Sequence, residues 1–473
     1  MTRIYIKDTP NHIGKDIILC GWVRTRRDHG KIIFIDLWDA TGIIQCVLAP
    51  DQEEGYKVGQ GLRGEWVVKF EGEVKKRPDK MVNDKIATGG VEFLVKKVEV
   101  FSEAGELPLD IKGDGTDIKE DFRLKYRYLD LRRERMQEIM RIRSRAKTWV
   151  MNYLSEKGFT EIETPLMTKS TPEGARDFII PSRLQAGKFY ALPQSPQQYK
   201  QLLMVAGMEK YFQFARVFRD EDLRADRLFE HTQLDIEMSF ASQEDILGII
   251  EPMIIEMSEK VFGKTIQEKP FPRITYQDAM EKYGNDKPDM RKDKNNPDVL
   301  AFCWVIDFPM FEVLEDGSID AVHHPFTAMK DEDLAIFDKI NPEKITEADR
   351  KNLMKIRAKQ YDLALNGMEV MGGSVRTHDA KILKKVFQML GHSAENVEKQ
   401  FGHLLEAFSY GVPPHGGIAA GFDRMLQAIL GQKSIRETVA FPTSTSGITS
   451  VMDAPSEVDE KQLKELGIKV VKK

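Results

Sequence analysis

The chain has 473 residues, 41% apolar and 31% charged, enough for two or three packed domains that remain dispersed in water. Lys plus Arg (70) nearly balance Asp plus Glu (75), for a net charge of −5, so there is no global basic field and any nucleic-acid contact must be local. Cys20, Cys46 and Cys303 form no CxxC pair, which excludes a zinc knuckle or disulfide framework and suits a reducing, cytoplasmic setting. The N-terminus lacks the apolar core of a signal peptide. No apolar run reaches membrane-spanning length, so no membrane partner is expected.

Five strand-like runs fill residues 1–105: "IILCGWVRTRRD", "IIFIDLWD", "GIIQCVLA", "EWVVKFEGEV" and "VEFLVKKVEV". Their number and spacing predict a small Greek-key barrel of the OB type. Residues 106–133 are rich in Gly, Pro and charge and read as a hinge. From 134 the apolar residues Met136, Ile139, Met140, Ala146, Trp149, Val150, Tyr153 and Leu154 recur at helical spacing, with Gly158 placed to end the helix. "FTEIETP" reads as a strand closing at Pro165. Helices then alternate with strands to 445, an α+β domain, and 446–473 reads as an extension of one short helix and a last strand packed on that domain.

The runs "YFQFARVF" (211–218) and "HTQLDIEMSF" (231–240) form a hairpin whose connection is too long for a tight turn and contains no Gly, Pro or Asn. It carries Arg219, Asp220, Glu221, Asp222, Arg224, Asp226 and Arg227. Alone, it fits a solvated loop as well as a phosphate site, where an Arg fork would bind bidentately. "GVPPHGGIAAGFDRMLQAIL" (411–430) sets Arg424 in the first turn of an apolar helix. That is either an anion site or a close-packed strand-to-helix turn. In "YDLALNGMEVMGGSVR", Asp362 and Glu369 bracket a turn at Asn366-Gly367, so a hairpin could bring both carboxylates to one Mg²⁺. His323-His324 would face opposite ways on a strand, which disfavours a two-His metal site.

Together these strings resemble the three motifs of class II aminoacyl-tRNA synthetases: "GFTEIETP", "FRDE" with its charged loop, and "GFDR". "TPEGARDF", "PQSPQ", "DEDLRADR", "GGSVR" and "GWVxxRRD" narrow the resemblance to the bacterial-type aspartyl-tRNA synthetase family, from about residue 3 to the closing "VVKK". The resemblance implies an N-terminal OB-fold barrel that reads the anticodon. A catalytic domain on an antiparallel sheet flanked by helices would follow. It implies ATP and Mg²⁺, L-aspartate, tRNA-Asp and a homodimer joined through the helix and strand around Pro165.

Carried over residue by residue, Arg219 and Arg424 would be catalytic, neutralising the α- and γ-phosphates. Asp220, Glu221, Leu228, His231, Glu369, Gly421, Phe422 and Asp423 would complete the ATP site, and Asp362 with Glu369 would hold Mg²⁺. Glu173, Ser195, Gln197, Lys200, Arg219, Asp235, His323, His324 and Arg376 would surround aspartate, with Arg376 and Lys200 on its side-chain carboxylate. Arg26, His29, Phe34, Gln45 and Glu92 would meet the anticodon, joined by Arg27 and Lys31 on phosphates.

Three departures stand out. A domain that the family usually inserts between "DKPD" and "WVIDFPMFE" is absent. Leu228 replaces a Gln near the phosphates. His231 replaces a Phe that stacks on adenine, which would make stacking weaker and pH-dependent. His29 points to the relaxed type that also charges tRNA-Asn. The competing readings are an asparaginyl- or lysyl-tRNA synthetase, an inactive tRNA-binding paralogue, and aspartate–ammonia ligase. Arg376 with Lys200, the intact motif residues and the barrel argue against them in turn.

Overall fold

Alternation of apolar residues closes the first hundred positions into a barrel. Strands β1 (Asp16–His29), β2 (Ile32–Asp39), β3 (Gly42–Leu48), β4 (Val67–Lys76) and β5 (Val91–Ser102) pair in the order β1-β2-β3-β5-β4. Every second side chain points inward, among them Leu19, Ile35, Cys46, Phe70 and Phe93, all fully buried. The structure is a computed structural model that describes residues 2–170 and 174–471. It divides into two units, Met1–Asp110 and Ile111–Lys473.

The second unit is built on an eight-stranded sheet. Its strands are β6 (Thr160–Glu161), β7 (Lys210–Phe218), β8 (Glu230–Ser239), β9 (Arg273–Thr275), β10 (Phe302–Ile306), β11 (Gln360–Leu365), β12 (Met368–Val375) and β13 (His415–Gly421). The order is β9-β10-β11-β12-β13-β8-β7-β6. The expected antiparallel pairing holds from β10 to β7, while β9 and β6 run parallel to their neighbours and make the sheet mixed. Both edges are reached through long connections containing helices, as parallel pairing requires. "FTEIETP" is strand only at 160–161. The expected strand running to Pro165 stops early because β6 pairs with β7 only at Tyr211 and Phe212.

The predicted long helix spans Glu134–Glu156, and Gly158 takes the left-handed φ of +81° just beyond it. Met136, Ile139, Ile142, Ala146, Val150 and Leu154 form its buried stripe. Each large apolar side chain so buried contributes roughly 1.5–3 kcal/mol. Leu234, Ile236, Val370, Ile418 and Ala420 of the sheet lie in the same core. The opposite face of those strands is left for polar residues.

Residues 106–133 are not a plain hinge. From Ile111 they belong to the second unit, and Arg127, Asp130 and Arg133 are almost wholly buried. Composition misleads here because the charges are paired inside. Asp130 accepts from Arg123, Arg127 and Arg133, and Glu437 accepts from Arg123 and Arg135. The C-terminal helix Glu460–Leu466 is present, with Glu465 paired to Arg183 at 2.7 Å, but residues 468–471 are not a strand. No described helix is long and apolar enough to cross a membrane.

Candidate active site

Polar residues on one face of the sheet define the floor of a cleft of about 250 Å³. Side chains alternate along a strand, so Gln233, Asp235 and Glu237 of β8 face away from Leu234 and Ile236. The register aligns Asp235 with Ala419, Gly372 and Asp362 across four strands. One row on, Glu237 aligns with Gly417, Ser374 and Gln360. Carboxylates and an amide stand on the outer strands and small residues on β12 and β13 between them. The hollow comes from the small or missing side chains along the two middle strands. A β-carbon at Gly417 would lie 2.1 Å from both Glu237 Oε2 and the Ile236 carbonyl, so only Gly leaves Glu237 its place.

One end of the cleft is buried and tightly paired. Arg376 donates through Nε and Nη2 to the two oxygens of Glu237 (2.9 and 3.2 Å) and through Nη1 to Ser374 Oγ (2.7 Å). Lys200 Nζ lies 2.9 Å from Asp235 Oδ1 and 3.3 Å from Glu237 Oε2. Burial alone would raise the Glu237 carboxyl, but Arg376 and Lys200 override it and bring it down to about 2. Asp235 has less cationic compensation, and burial leaves its carboxyl raised. His323 and His324 both line this end, contrary to the expectation of opposite faces, because they lie in an irregular segment after a strand that stops at Ala321. Burial lowers both imidazoles, His324 further because Arg376 and Lys200 are near, so both are neutral at pH 7.

The other end is more open. Arg219 sits at the base of the loop 219–229, and Glu221 accepts from Arg227 (3.1 Å). Arg424, in the first turn of the helix Phe422–Ile429, donates to the Asp226 carbonyl at 3.3 and 3.4 Å. Leu228, His231, Gly421 and Asp423 also line the cleft. Asp423 caps this corner, accepting from Arg143 and from the Thr232 amide (2.7 Å). Burial lowers His231 to about 3, helped by Arg219, Arg424 and Arg216. It is therefore neutral across the physiological range, and the expected pH dependence of its stacking does not arise.

The Asn366-Gly367 turn forms as anticipated, with positive φ at both residues. A bulge between the Leu363–Met371 and Ala364–Glu369 pairs sets Glu369 on the same face as Gly372. A β-carbon at Gly372 would lie 3.0 Å from Asp362 Oδ1 and 3.5 Å from Glu369 Oε1, so the two carboxylates converge on the space that Gly372 leaves. Burial and then Glu369 push the Asp362 carboxyl well up, a conflict that a cation would relieve. No group of three or more His, Cys, Asp or Glu suited to a metal occurs among the described residues. Two carboxylates suit Mg²⁺, which keeps several waters and shares its shell with phosphates.

Two of the ATP candidates lie elsewhere. Phe422 is fully buried in the core against Phe214, because the helix turns its first residue toward the sheet and the next two toward the cleft. Asp220 faces Arg176 outside the cleft (3.6 Å). Glu173 lies outside the described residues. On the barrel, Phe34, Gln45 and Glu92 share the outer face, half-buried, which excludes Phe34 from the core. His29 is exposed at the end of β1. Arg26 is already committed, to Asp28 and to the carbonyls of Gln60 and Leu62.

Sequence reasoning passed over Glu237, Gln233 and Gln360. The signal was available: each stands two residues from a residue it did select, on the same face of a strand.

Five buried polar atoms in the cleft find no partner among the described residues: Arg219 Nε, Gln197 Nε2, Gln233 Oε1, Asp235 Oδ2 and His324 Nε2. Such a concentration marks a place for a polar ligand. The family described as tRNA synthetases class II (D, K and N) matches residues 119–445, and the OB-fold nucleic acid binding domain matches 17–101. The chain is 40% identical to the aspartate–tRNA(Asp/Asn) ligase of Dictyoglomus turgidum, over 97% of this chain and 96% of that protein. It is 38% identical to the aspartate–tRNA ligase of Macrococcus caseolyticus, over 98% and 97%.

The chain belongs to the aspartate–tRNA ligase family of class II synthetases. The alignment to the Dictyoglomus relative spans 584 positions, so that relative carries over a hundred that the 473-residue synthetase lacks. Among solved structures, the synthetase fold resembles asparaginyl-tRNA synthetase from Pyrococcus horikoshii (TM-score 0.73, 24% identity, covering 93% of this chain and 98% of that one). It also resembles a putative aspartyl-tRNA synthetase from Leishmania major (TM-score 0.74, 20% identity, 93% of each).

Proposed function

We propose that this synthetase joins L-aspartate to tRNA-Asp and, through its relaxed anticodon site, to tRNA-Asn. The carrying observation is the mixed set of unpartnered buried atoms across the cleft, from Asp235 at one end to Arg219 at the other. Asp235 Oδ2 and Gln233 Oε1 can accept from an ammonium, while Gln197 Nε2 and Arg219 Nε can donate to a carboxylate. Arg376 and Lys200 at the Asp235 end match a side-chain carboxylate better than an amide.

The aspartate α-carboxylate oxygen forms a bond to the ATP α-phosphorus as the bond from that phosphorus to its bridging oxygen breaks, and pyrophosphate leaves with the electron pair. Arg219 and Arg424 neutralise the charge that develops at the two ends of the triphosphate. Asp362 and Glu369 would hold Mg²⁺, which supplies phosphate charge neutralisation. A hydroxyl of the tRNA 3′-terminal ribose then attacks the acyl carbon, and AMP leaves. No protein nucleophile is needed.

His29 at the end of β1 supports the relaxed anticodon reading, as do relatives named tRNA(Asp/Asn) ligases. Aminoacylation of both purified tRNAs decides it, and no product on tRNA-Asn rejects it. Pyrophosphate exchange with aspartate, asparagine and lysine tests the amino acid; exchange with either of the latter at the rate for aspartate overturns the assignment. A homodimer is expected, and sedimentation showing only a 54 kDa species rejects it.

A further inference from the structure

The loop that carries Glu221 and Arg227 is held along its backbone, partly by residues that lie behind the cleft wall. Three consecutive carbonyl oxygens in it accept from residues 424–436. Arg224 O accepts from Arg436 Nη1 (3.2 Å). Ala225 O accepts from the Ile435 amide (2.8 Å) and Gln427 Nε2 (3.4 Å). Asp226 O accepts from Arg424. Because the grip is on backbone oxygens, it sets the height of the loop and leaves its side chains to face a ligand.

Arg436 is 1% exposed and is not part of the cleft wall. Its Nε donates to the Thr443 carbonyl (2.9 Å). Its nearest carboxylate, Glu120, is 3.8 Å away and partly exposed. Its Nη2 is buried without a partner among the described residues. As a stabilising device this is poor, since a buried guanidinium without full pairing costs desolvation that an apolar residue would avoid. What it does have is a bond to the loop. The segment around it is in turn fixed: Arg127 donates to the carbonyls of Arg436 and Val439 (2.8 Å each), and Arg123 and Arg135 clasp Glu437.

We propose that Arg436 is a positioning residue for the phosphate end of ATP. It relays the buried framework of residues 123–135 to loop residues 224–226, and through the Asp226 carbonyl to Arg424. The inference rests on reading the cleft as the ATP site.

The test compares full-length wild type, Arg436→Lys and Arg436→Met in aspartate-dependent pyrophosphate exchange. For Arg436→Met the KM for ATP should rise at least tenfold while the KM for aspartate changes less than twofold. Arg436→Lys, whose ammonium can still reach one carbonyl, should recover part of the loss. An ATP KM within twofold of wild type, or equal changes in both KM values, overturns the proposal. So does a fall in kcat alone, the mark of a merely structural role. If Arg436→Met does not fold, Gln427→Leu removes one neutral donor to Ala225 O and should raise the ATP KM several-fold, and no change there also overturns it. Binding of a fluorescent ATP analogue by the same variants gives the answer without turnover. Wild type that binds the analogue but shows no exchange with aspartate would defeat the aspartate assignment and leave the analogue-binding comparison to judge Arg436.

Discussion

The two ends of the cleft are built on opposite plans. At the end proposed for aspartate, Lys200 stands on a helix, Asp235 and Glu237 on β8 and Arg376 just after β12, each no more than 5% exposed, and they pair with one another before any ligand arrives. At the end proposed for the phosphates, Arg219, Glu221, Arg227 and Arg424 stand on a loop and a helix terminus, partly exposed, with ion pairs at 3.1 Å (Arg227–Glu221) and 3.9 Å (Arg424–Asp226) and carbonyl contacts at 3.3–3.4 Å. The difference fits the tasks proposed for the two ends. Discriminating a carboxylate from an amide needs donors whose positions are set in advance, because adjustment would admit both. Phosphates are bound by charge and tolerate movement, so a loop serves.

That contrast predicts unequal consequences of mutation. The largest effect belongs to Arg376→Ala, which leaves Glu237 buried without its main partner. Aspartate-dependent exchange should vanish, and stability should fall by about 3–5 kcal/mol. A variant of normal stability would show that the buried quartet is not preorganised. Arg219→Ala should reduce exchange by about 10²–10³-fold, as for loss of one charge-stabilising donor. It should leave stability within about 0.5 kcal/mol. A large drop in the melting temperature would erase the distinction between the ends.

Gly372→Ala tests the cation cradle between them: the Mg²⁺ concentration for half-maximal exchange should rise about tenfold, while the melting temperature holds. His231→Ala should raise the ATP KM about three- to tenfold, the worth of one ring contact, and His231→Phe should keep it. Equal KM values for both variants and wild type would remove His231 from the adenine site. With its imidazole held to about 3, His231 should add no inflection to the ATP KM between pH 5.5 and 8. Its contribution to stability has the opposite reach. The unfolded chain binds this proton below about 6.5 and the folded one does not, so folding is penalised as pH falls from there toward 3.

The effect that lies furthest from the working pH is the acid limb from Glu237. A carboxyl lowered from 4.5 to about 2 contributes stability that is fully present above 4.5 and is lost as pH falls toward 2. Melting of Glu237→Gln should be flatter than wild type in that window. Parallel curves would mean that Glu237 is not charged against Arg376.

Much of the site was legible because its residues carry rare combinations in tight order. "FRDE", "GFDR" and "GGSVR" each placed a charged residue that lines the cleft: Arg219 and Glu221, Asp423 and Arg424, and Arg376. Phe422 was misplaced because a motif records neighbours in sequence, while a helix start turns neighbours to different sides. Glu237 was missed because it looks like one more acidic residue in "LDIEMS"; only the facing Gly417 and Arg376, some 140–180 positions away, reveal it as buried and paired. The segment 106–133 looked like a linker because composition cannot tell a solvated charge from one clasped by Glu437.

By itself, then, the sequence determined the elements: period-two strands, the amphipathic helix from 134, the Asn366-Gly367 turn, and the small residues Gly372, Ser374, Gly417 and Ala419 at alternating positions. Those are local properties, set by backbone sterics and by which side chains avoid water. Tertiary structure decided what those elements surround. The register of four strands turns alternate glycines into a hollow, the bulge in β12 brings Glu369 beside Asp362, and carbonyl contacts from 424–436 set the loop above them. Each depends on distances between residues far apart in the chain, where the pairing energy of a buried charge is fixed by its neighbours in space and leaves no mark in its neighbours in sequence.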